Sequence, residues 1–269
     1  MKKIIALLMA VVLIVTLCAC GAGAATGTQT ATPAAAETQT ADPTQTAAET
    51  QSTNNADGGT TVTYSGNWRI ISQPGESDVK VLNLPDVRQA TGYTCGASSL
   101  QAVLFYYGYE YPEGVLAAYA SSNEWSGTSP DCFEQAIEKV NAECSSNFTV
   151  QVKQGSTISD IEALIDQETP VIVDIQAWKD SDDTTAWTDT WENGHYVVVI
   201  GYDSDNLYLE DPLLINSIGV IPQDEFVDRW HDYMGSDAYD PATSETTNHL
   251  MVVIQGEDPY PVDVIMPLE

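Results

Sequence analysis

Basic side chains are scarce in this sequence. Lysine and arginine together number 9, against 39 aspartates and glutamates, for a formal net charge of −30. Residues 62–269 alone hold 35 of the acidic residues and 7 of the basic ones. Such a surface excludes nucleic acid as a natural partner, because phosphate binding needs cations. It also repels anionic lipid, so any membrane attachment must come from elsewhere; the charge itself serves solubility. Histidine is scarcer still, at three residues. No Cys or His residues pair at metal-ligand spacing, so no metal or other cofactor is implied. There is no internal repeat. The apolar run Ile4–Ala19 spans 16 residues, short of the ~20 that a bilayer-crossing helix needs.

That run belongs to a basic start, an apolar centre and a short exit over residues 1–19, the pattern of a bacterial export signal. Leu17-Cys18-Ala19-Cys20 resembles a lipobox, the cleavage site of bacterial lipoproteins. The resemblance implies that Cys20 becomes the lipid-bearing first residue of the mature chain. Residues 20–61 are otherwise Ala, Thr, Gln, Gly and Pro with few charges, too polar to bury a core. They read as a tether whose random-coil span is roughly 35 Å. Residues 62–269 remain as one folded domain. The expected location is the outer face of the bacterial cytoplasmic membrane, held by the lipid.

Cysteine is present in odd number where it counts. Of five, Cys18 leaves with the signal and Cys20 is modified. Cys95, Cys132 and Cys144 remain, and an odd count outside the cell leaves a thiol free. Cys132 and Cys144 flank a helical pattern that starts at Ser129-Pro130. Twelve helical steps set them roughly 18 Å apart, whereas a disulfide needs Cα atoms ~4.4–6.8 Å apart.

Along the domain, helical periodicity covers Gly96–Tyr107, Pro112–Ser121, Pro130–Asn141 and Ile158–Gln167. Strands are expected at Phe148–Val152, Val171–Ile175, HYVVVIGY from His195, LYLED up to Asp211, and His249–Ile254, with a further helix at Gln223–Trp230. Helices first and strands after indicate an α+β domain in two parts.

Cys95 stands where a helix begins. Its reactive form is the thiolate, which a helix N-terminus and a neighbouring imidazolium favour. Gly96, Ala97 and Ser98 leave room for a substrate backbone. The Cys95 backbone N–H is one candidate oxyanion donor, and the side chain of Gln89, six residues earlier, is placed to be a second. For the base, His195 opens an apolar strand and Asp211 closes the next. A hairpin tip at Gly201–Asp205 makes them cross-strand neighbours. A tip at Asp203–Asn206 puts Asp211 opposite Val198 unless a bulge intervenes. In the first register the carboxylate orients the imidazole, as in other nucleophile–base–orienter sites. His249 and Asp258 sit at opposite ends of one short strand and should not meet. His231, in RWHDY, reads as a solvated helix end.

The run LPDVRQATGYTCGASSLQAVLFYYG, with GHYVVVIGYDSDNLYLEDP a hundred residues later, resembles the bacteriocin-processing (double-glycine) peptidases. It is more closely similar to the free-standing "thirty-nine-like" cysteine peptidase domains related to them, within the papain-like group. The likeness covers roughly residues 80–255. It implies a papain-like cysteine peptidase fold, in which the nucleophile helix packs on an antiparallel sheet carrying His and Asp. It assigns Cys95 as nucleophile, Gln89 as oxyanion-hole side chain, His195 as base and Asp211 as orienter. The leader-cleaving members are fused to an export transporter. No transporter segment or ATP-binding motif stands in this sequence, so the expected substrate is an extracytoplasmic peptide or protein rather than a double-glycine leader. A cell-wall endopeptidase or amidase of the NlpC type, and a silent lipid-anchored binding module, are the alternatives. The loop Ala177–Gly194, with Trp178, Trp187 and Trp191, reads as a substrate-contacting wall of the cleft.

Overall fold

The computed structural model describes residues 59–235 and 237–260. The expected signal, Cys20 and all but the last three positions of the tether lie outside the described residues. The chain enters through three strands, β1 (Thr61–Ser65), β2 (Trp68–Ser72) and β3 (Val79–Leu82). They correct the helices-first order expected above. Their signal was present in the sequence: two β-rich runs meet at Gly66-Asn67, a two-residue hairpin turn that pairs Ser65 with Trp68.

Three helices follow: α1 (Cys95–Tyr106), α2 (Glu113–Tyr119) and α3 (Cys132–Cys144). Then come β4 (Thr149–Lys153), α4 (Ile158–Ile165) and β5 (Val171–Gln176). Thr157 and Asp160 form a reciprocal capping box that starts α4. The long hairpin is β6 (Gly194–Tyr202) and β7 (Asn206–Glu210), and β8 (Gly219–Pro222) adds to its edge. The last elements are α5 (Gln223–Arg229), β9 (His231–Met234), β10 (Glu245–Asn248) and β11 (Met251–Gln255).

The main sheet runs β1-β2-β3-β6-β5-β11-β4, with β7 and β8 extending from β6; every pairing is antiparallel. β5 is buried along its whole length, and β6 along all but its ends. This explains their largely apolar composition, since both faces are covered. β9 and β10 form a separate two-stranded ribbon. Among the described residues no helix is long and apolar enough to cross a membrane.

α1 is the central helix. Leu100, Val103 and Leu104 are fully buried, and the Ser99 hydroxyl donates to the Tyr196 carbonyl of β6 at 3.2 Å. That contact clamps the first turns of α1 onto the start of β6. The residue after Cys95 must be small: a Cβ at Gly96 would stand 2.7 Å from Cβ of Thr128. Gly96→Ala is expected to lower the unfolding free energy by about 1–3 kcal/mol, the usual cost of overpacking. Denaturant melts of the two proteins measure it, and equal stability would show that the Thr128 segment yields freely.

Candidate active site

Cys95 is the first residue of α1 and is buried, with Thr94 as N-cap. Thr94 uses its hydroxyl within the preceding loop, accepting from the Thr91 N–H at 3.2 Å, and makes no side-chain cap to the helix. The first-turn N–H groups of α1 are therefore left without an intrahelical partner or a side-chain cap at the cysteine.

His195 is the second residue of β6. Its Nε2 lies 2.7 Å from Oδ1 of Asp211, both side chains being over nine-tenths buried. With Nε2 so engaged, Nδ1 is the remaining ring nitrogen. Burial alone pushes the imidazole pKa down. Hydrogen bonds with Asp211 and with Cys95 outweigh it and raise the value to about 9. The structure thus brings Cys95, His195 and Asp211 together.

The register that does so is the second of the two considered from sequence, with the bulge that it requires; the direct cross-strand pairing of His195 with Asp211 does not occur. The tip is Asp203–Asn206, closed by the Asp203 N–H on the Asn206 carbonyl at 3.0 Å. A bulge between Val199 and Gly201 then shifts the ladder, so that Val198 faces Glu210. Asp211 follows directly, one position past the end of β7, and reaches His195 diagonally. Its carboxylate is fixed from three sides: by His195, by the Leu213 N–H at 2.8 Å and by Trp178 Nε1–H at 2.9 Å. Burial opposes ionisation of Asp211, but these donors win and hold its carboxyl below the usual range. The adjacent Glu210 goes the other way. Burial chiefly raises its carboxyl to about 8, although the Val87 N–H donates to it at 3.0 Å. At neutral pH the charge therefore concentrates on Asp211.

Gln89 is buried, and its backbone N–H donates to the Pro212 carbonyl at 3.1 Å, which ties its loop to the Asp211 turn. One of its amide hydrogens engages the Thr91 carbonyl at 2.7 Å. A primary amide carries two, so the second stays available.

The three tryptophans of the Ala177–Gly194 loop divide. Trp178 takes a left-handed backbone (φ 64°) and donates to Asp211. Trp187 is flanked by the cations of Lys179 and Arg229, at 3.8 and 3.6 Å from its ring centre. Trp191 stacks on Tyr239 at 4.1 Å and, unlike the other two, lines the cavity that contains Cys95. That cavity measures about 430 Å³ and also holds Asp174, Asp232 and the Gly92-Tyr93 backbone. A second hollow of about 470 Å³ lies against Trp178, Trp187 and Asp211.

The other histidines are engaged elsewhere. His249 stacks on Trp230 at 4.8 Å, and its Nδ1 bonds the Ser156 carbonyl at 3.0 Å. His231 corrects the solvated-helix reading. It opens β9, is half-buried against Trp191, and bonds the Thr190 carbonyl through Nε2 at 2.8 Å. Cys132 and Cys144 end the same helix and are free, as is Cys95. The sequence reading missed Asp174, although a carboxylate inside the apolar run VIVDIQ is an informative anomaly. It also missed Asp232, whose approach to Cys95 depends on the β9–β10 ribbon, and the Trp178 contact, which has no sequence signal.

This geometry, a helix-start cysteine against a sheet that carries histidine and aspartate, is the papain-like cysteine peptidase fold. The family model described as "Peptidase_C39 like family" matches residues 81–238, more than half of the 269-residue chain. The chain belongs to that family and is a cysteine peptidase. Among solved structures it is similar to the peptidase domain of Streptococcus ComA, a bi-functional ABC transporter involved in a quorum-sensing pathway. That match has 18% identity and a TM-score of 0.46, over 65% of this chain and 100% of that one. A C39-like peptidase from Bacillus anthracis matches at 20% identity and a TM-score of 0.45, over 68% and 100%. A double glycine motif protease from an AMS/PCAT transporter, solved with its leader peptide, matches at 18% identity and a TM-score of 0.42, over 64% and 91%. No curated protein matches the sequence.

A raised histidine links the site to stability. His195 moves from an ordinary 6.5 to about 9 on folding. Below about 6.5 both folded and unfolded chains are protonated and its contribution is complete. As pH rises towards 9 the unfolded chain gives up the proton first, so stability falls across that window. The unfolding free energy of the wild type, less that of His195→Gln, should decline from about pH 6.5 to 9 and then level. A flat difference would show that His195 is not raised.

Proposed function

We propose that Cys95, His195, Asp211 and Gln89 are the catalytic groups of a lipid-tethered peptidase that cuts extracytoplasmic peptides or proteins. One observation carries the assignment: the buried His195 ring is bonded to Asp211 at Nε2 and lies close enough to the thiol of the helix-start Cys95 for that thiol to raise its pKa. The Cys95 sulfur attacks the scissile carbonyl carbon as the thiolate, its proton already held on the His195 ring, which keeps a proton up to about pH 9. The carbonyl oxygen becomes an oxyanion, which the Cys95 backbone N–H and the free amide hydrogen of Gln89 stabilise. The C–N bond then breaks, and the amine leaves with the proton held by His195. A thioester remains on Cys95. Water gives a proton to His195, attacks the thioester and releases the acid, and the sulfur leaves as the thiolate beside the protonated ring. Asp211 holds the ring orientation and stabilises its charged form through both steps. Trp178 and the Leu213 N–H hold Asp211 in turn.

The tethered, extracytoplasmic setting rests on the sequence: the export signal, the lipobox cysteine and a tether spanning roughly 35 Å. An acidic body on such a tether stands off an anionic membrane and works on soluble or wall-bound chains. Peptidoglycan peptides fall within this substrate range and belong in the same digests as protein substrates.

Three measurements on catalysis form one test. Iodoacetamide should label Cys95 faster than the exposed Cys144, against the order that access alone would give. Cys95→Ser and His195→Ala should each reduce kcat/KM by at least about a thousandfold, whereas His249→Ala should act only through stability. Labelling that follows exposure, together with full activity in His195→Ala, would overturn the assignment. For the anchor, Cys20→Ala should move the protein from the detergent phase to the aqueous phase or leave it unprocessed. Detergent partitioning that Cys20→Ala leaves unchanged, with a mature N-terminus elsewhere, would remove the lipid from the account.

A further inference from the structure

We propose that the cavity beside Cys95 is a specificity pocket for a cationic group of the substrate: a lysine or arginine side chain, or a free amine. The proposal rests on the reading above that Cys95 is the nucleophile, and it names the class of peptide that nucleophile meets.

Four carboxyl groups line the cavity, from Asp174, Asp232, Glu192 and Glu124, and no Lys, Arg or His shares its walls among the described residues. Acidic side chains are common on a surface this negative, and the decisive one is not on the surface. Asp174 is 4% exposed, and its Oδ1 has no hydrogen-bond partner. It sits in the middle of β5, flanked by Val173 and Ile175, where a buried carboxyl without a full set of donors is costly. The fold keeps it there nonetheless and turns it to the cavity wall. A ligand that brings N–H donors and positive charge satisfies that oxygen.

Asp232 is the partner from the β9–β10 ribbon. Gln176 Nε2 donates to its Oδ1 at 3.0 Å, which fixes its direction. It lies so close to the start of β6 that a Cβ at Gly194 would collide with its carboxylate. The residue before His195 is thus a glycine because Asp232 occupies the space beside it. Burial, and then the mutual repulsion of Asp174 and Asp232, push the Asp174 carboxyl well up, while burial raises Asp232 to about 6. The pair therefore retains a proton near neutrality, and an incoming cation replaces that proton and meets two carboxylates. Trp191 and Tyr233 stand at the same cavity, so an aliphatic stem can lie on aromatic faces while its charged tip reaches the acids.

The test has two independent arms. In the first, peptides differing at one position next to the cut carry Lys, norleucine or Glu. The Lys peptide should exceed norleucine roughly tenfold in kcat/KM, a modest expectation for a partly desolvated charge pair. The ratio should shrink towards one in Asp232→Asn, where Gln176 can still donate to the new carbonyl, and in the more exposed Glu192→Gln should Asp232→Asn fail to fold. The second arm needs no turnover. Cys95 is modified with cationic aminoethyl methanethiosulfonate or neutral methyl methanethiosulfonate in about 1 M salt, where the general field is screened within ~3 Å. The cation should react faster, and the same two variants should erase the difference. Peptide cleavage with no charge preference in either arm overturns the pocket and leaves the peptidase reading standing. A cation preference in labelling that the variants erase, with no peptide cut, keeps the pocket and overturns the catalytic role of Cys95. Equal labelling rates in the wild type overturn the pocket whatever the digests show.

Discussion

The seat of α1 on β6 is the contact on which everything else depends. Cys95 and His195 lie a hundred residues apart, and neither has chemistry of interest alone. The Ser99 hydroxyl on the Tyr196 carbonyl joins the two elements one turn into the helix and one residue past the histidine. Leu100, Val103 and Leu104 bury the same helix in the core. A thiol at the end of a loop would wander relative to the imidazole, whereas one at the start of a buried helix is held in place. The cost is a tight first turn, visible in the space that Thr128 denies to any side chain at position 96.

From that seat a second set of ties runs to the far side of the histidine. The Gln89 N–H to the Pro212 carbonyl, and the Val87 N–H to Glu210, clip the loop before Cys95 onto the end of β7 and the turn after it. The Gln89 loop and the Asp211 carboxylate are thereby parts of one bracket around the imidazole. Trp178 closes the bracket from the loop that precedes β6. Its left-handed backbone is unusual for a bulky residue and persists because the indole N–H has a buried carboxylate to meet.

Carboxyl groups are sorted by environment around this bracket. Asp211 has three donors and stays charged, while Glu210 next to it is buried with fewer and holds its proton to about 8. On the other side of Cys95, Asp174 and Asp232 repel each other and together retain a proton. In a chain with so few cations, burial, hydrogen bonds and proton sharing replace ion pairing as the means of managing negative charge. Each of those means leaves a carboxyl ready to respond to a ligand or to a charged intermediate.

The elements that carry chemistry were legible in the residues. The α1 periodicity, the apolar runs of β5 and β6, the Gly-His and Asp-Pro boundaries and the shortage of histidines all follow from local composition, which dictates local structure directly. The opening strands β1–β3 were overlooked because they are short, of four or five residues each, and β1 and β2 are only half-buried. The role of His231 was misread because a strand in a two-stranded ribbon gains its burial from Trp191, a distant residue. What the sequence by itself determined is which side chains can react and which segments are helix or strand, because propensity, periodicity and pKa chemistry belong to short stretches of chain. Only the tertiary structure decided that a bulge at residue 200 brings Asp211 onto His195, that Trp178 serves Asp211 and does not line the Cys95 cavity, and that Asp174 meets Asp232 beside the thiol. Those are relations between segments, and they are fixed by register and by packing across the core, where a shift of one residue turns every side chain to the opposite face.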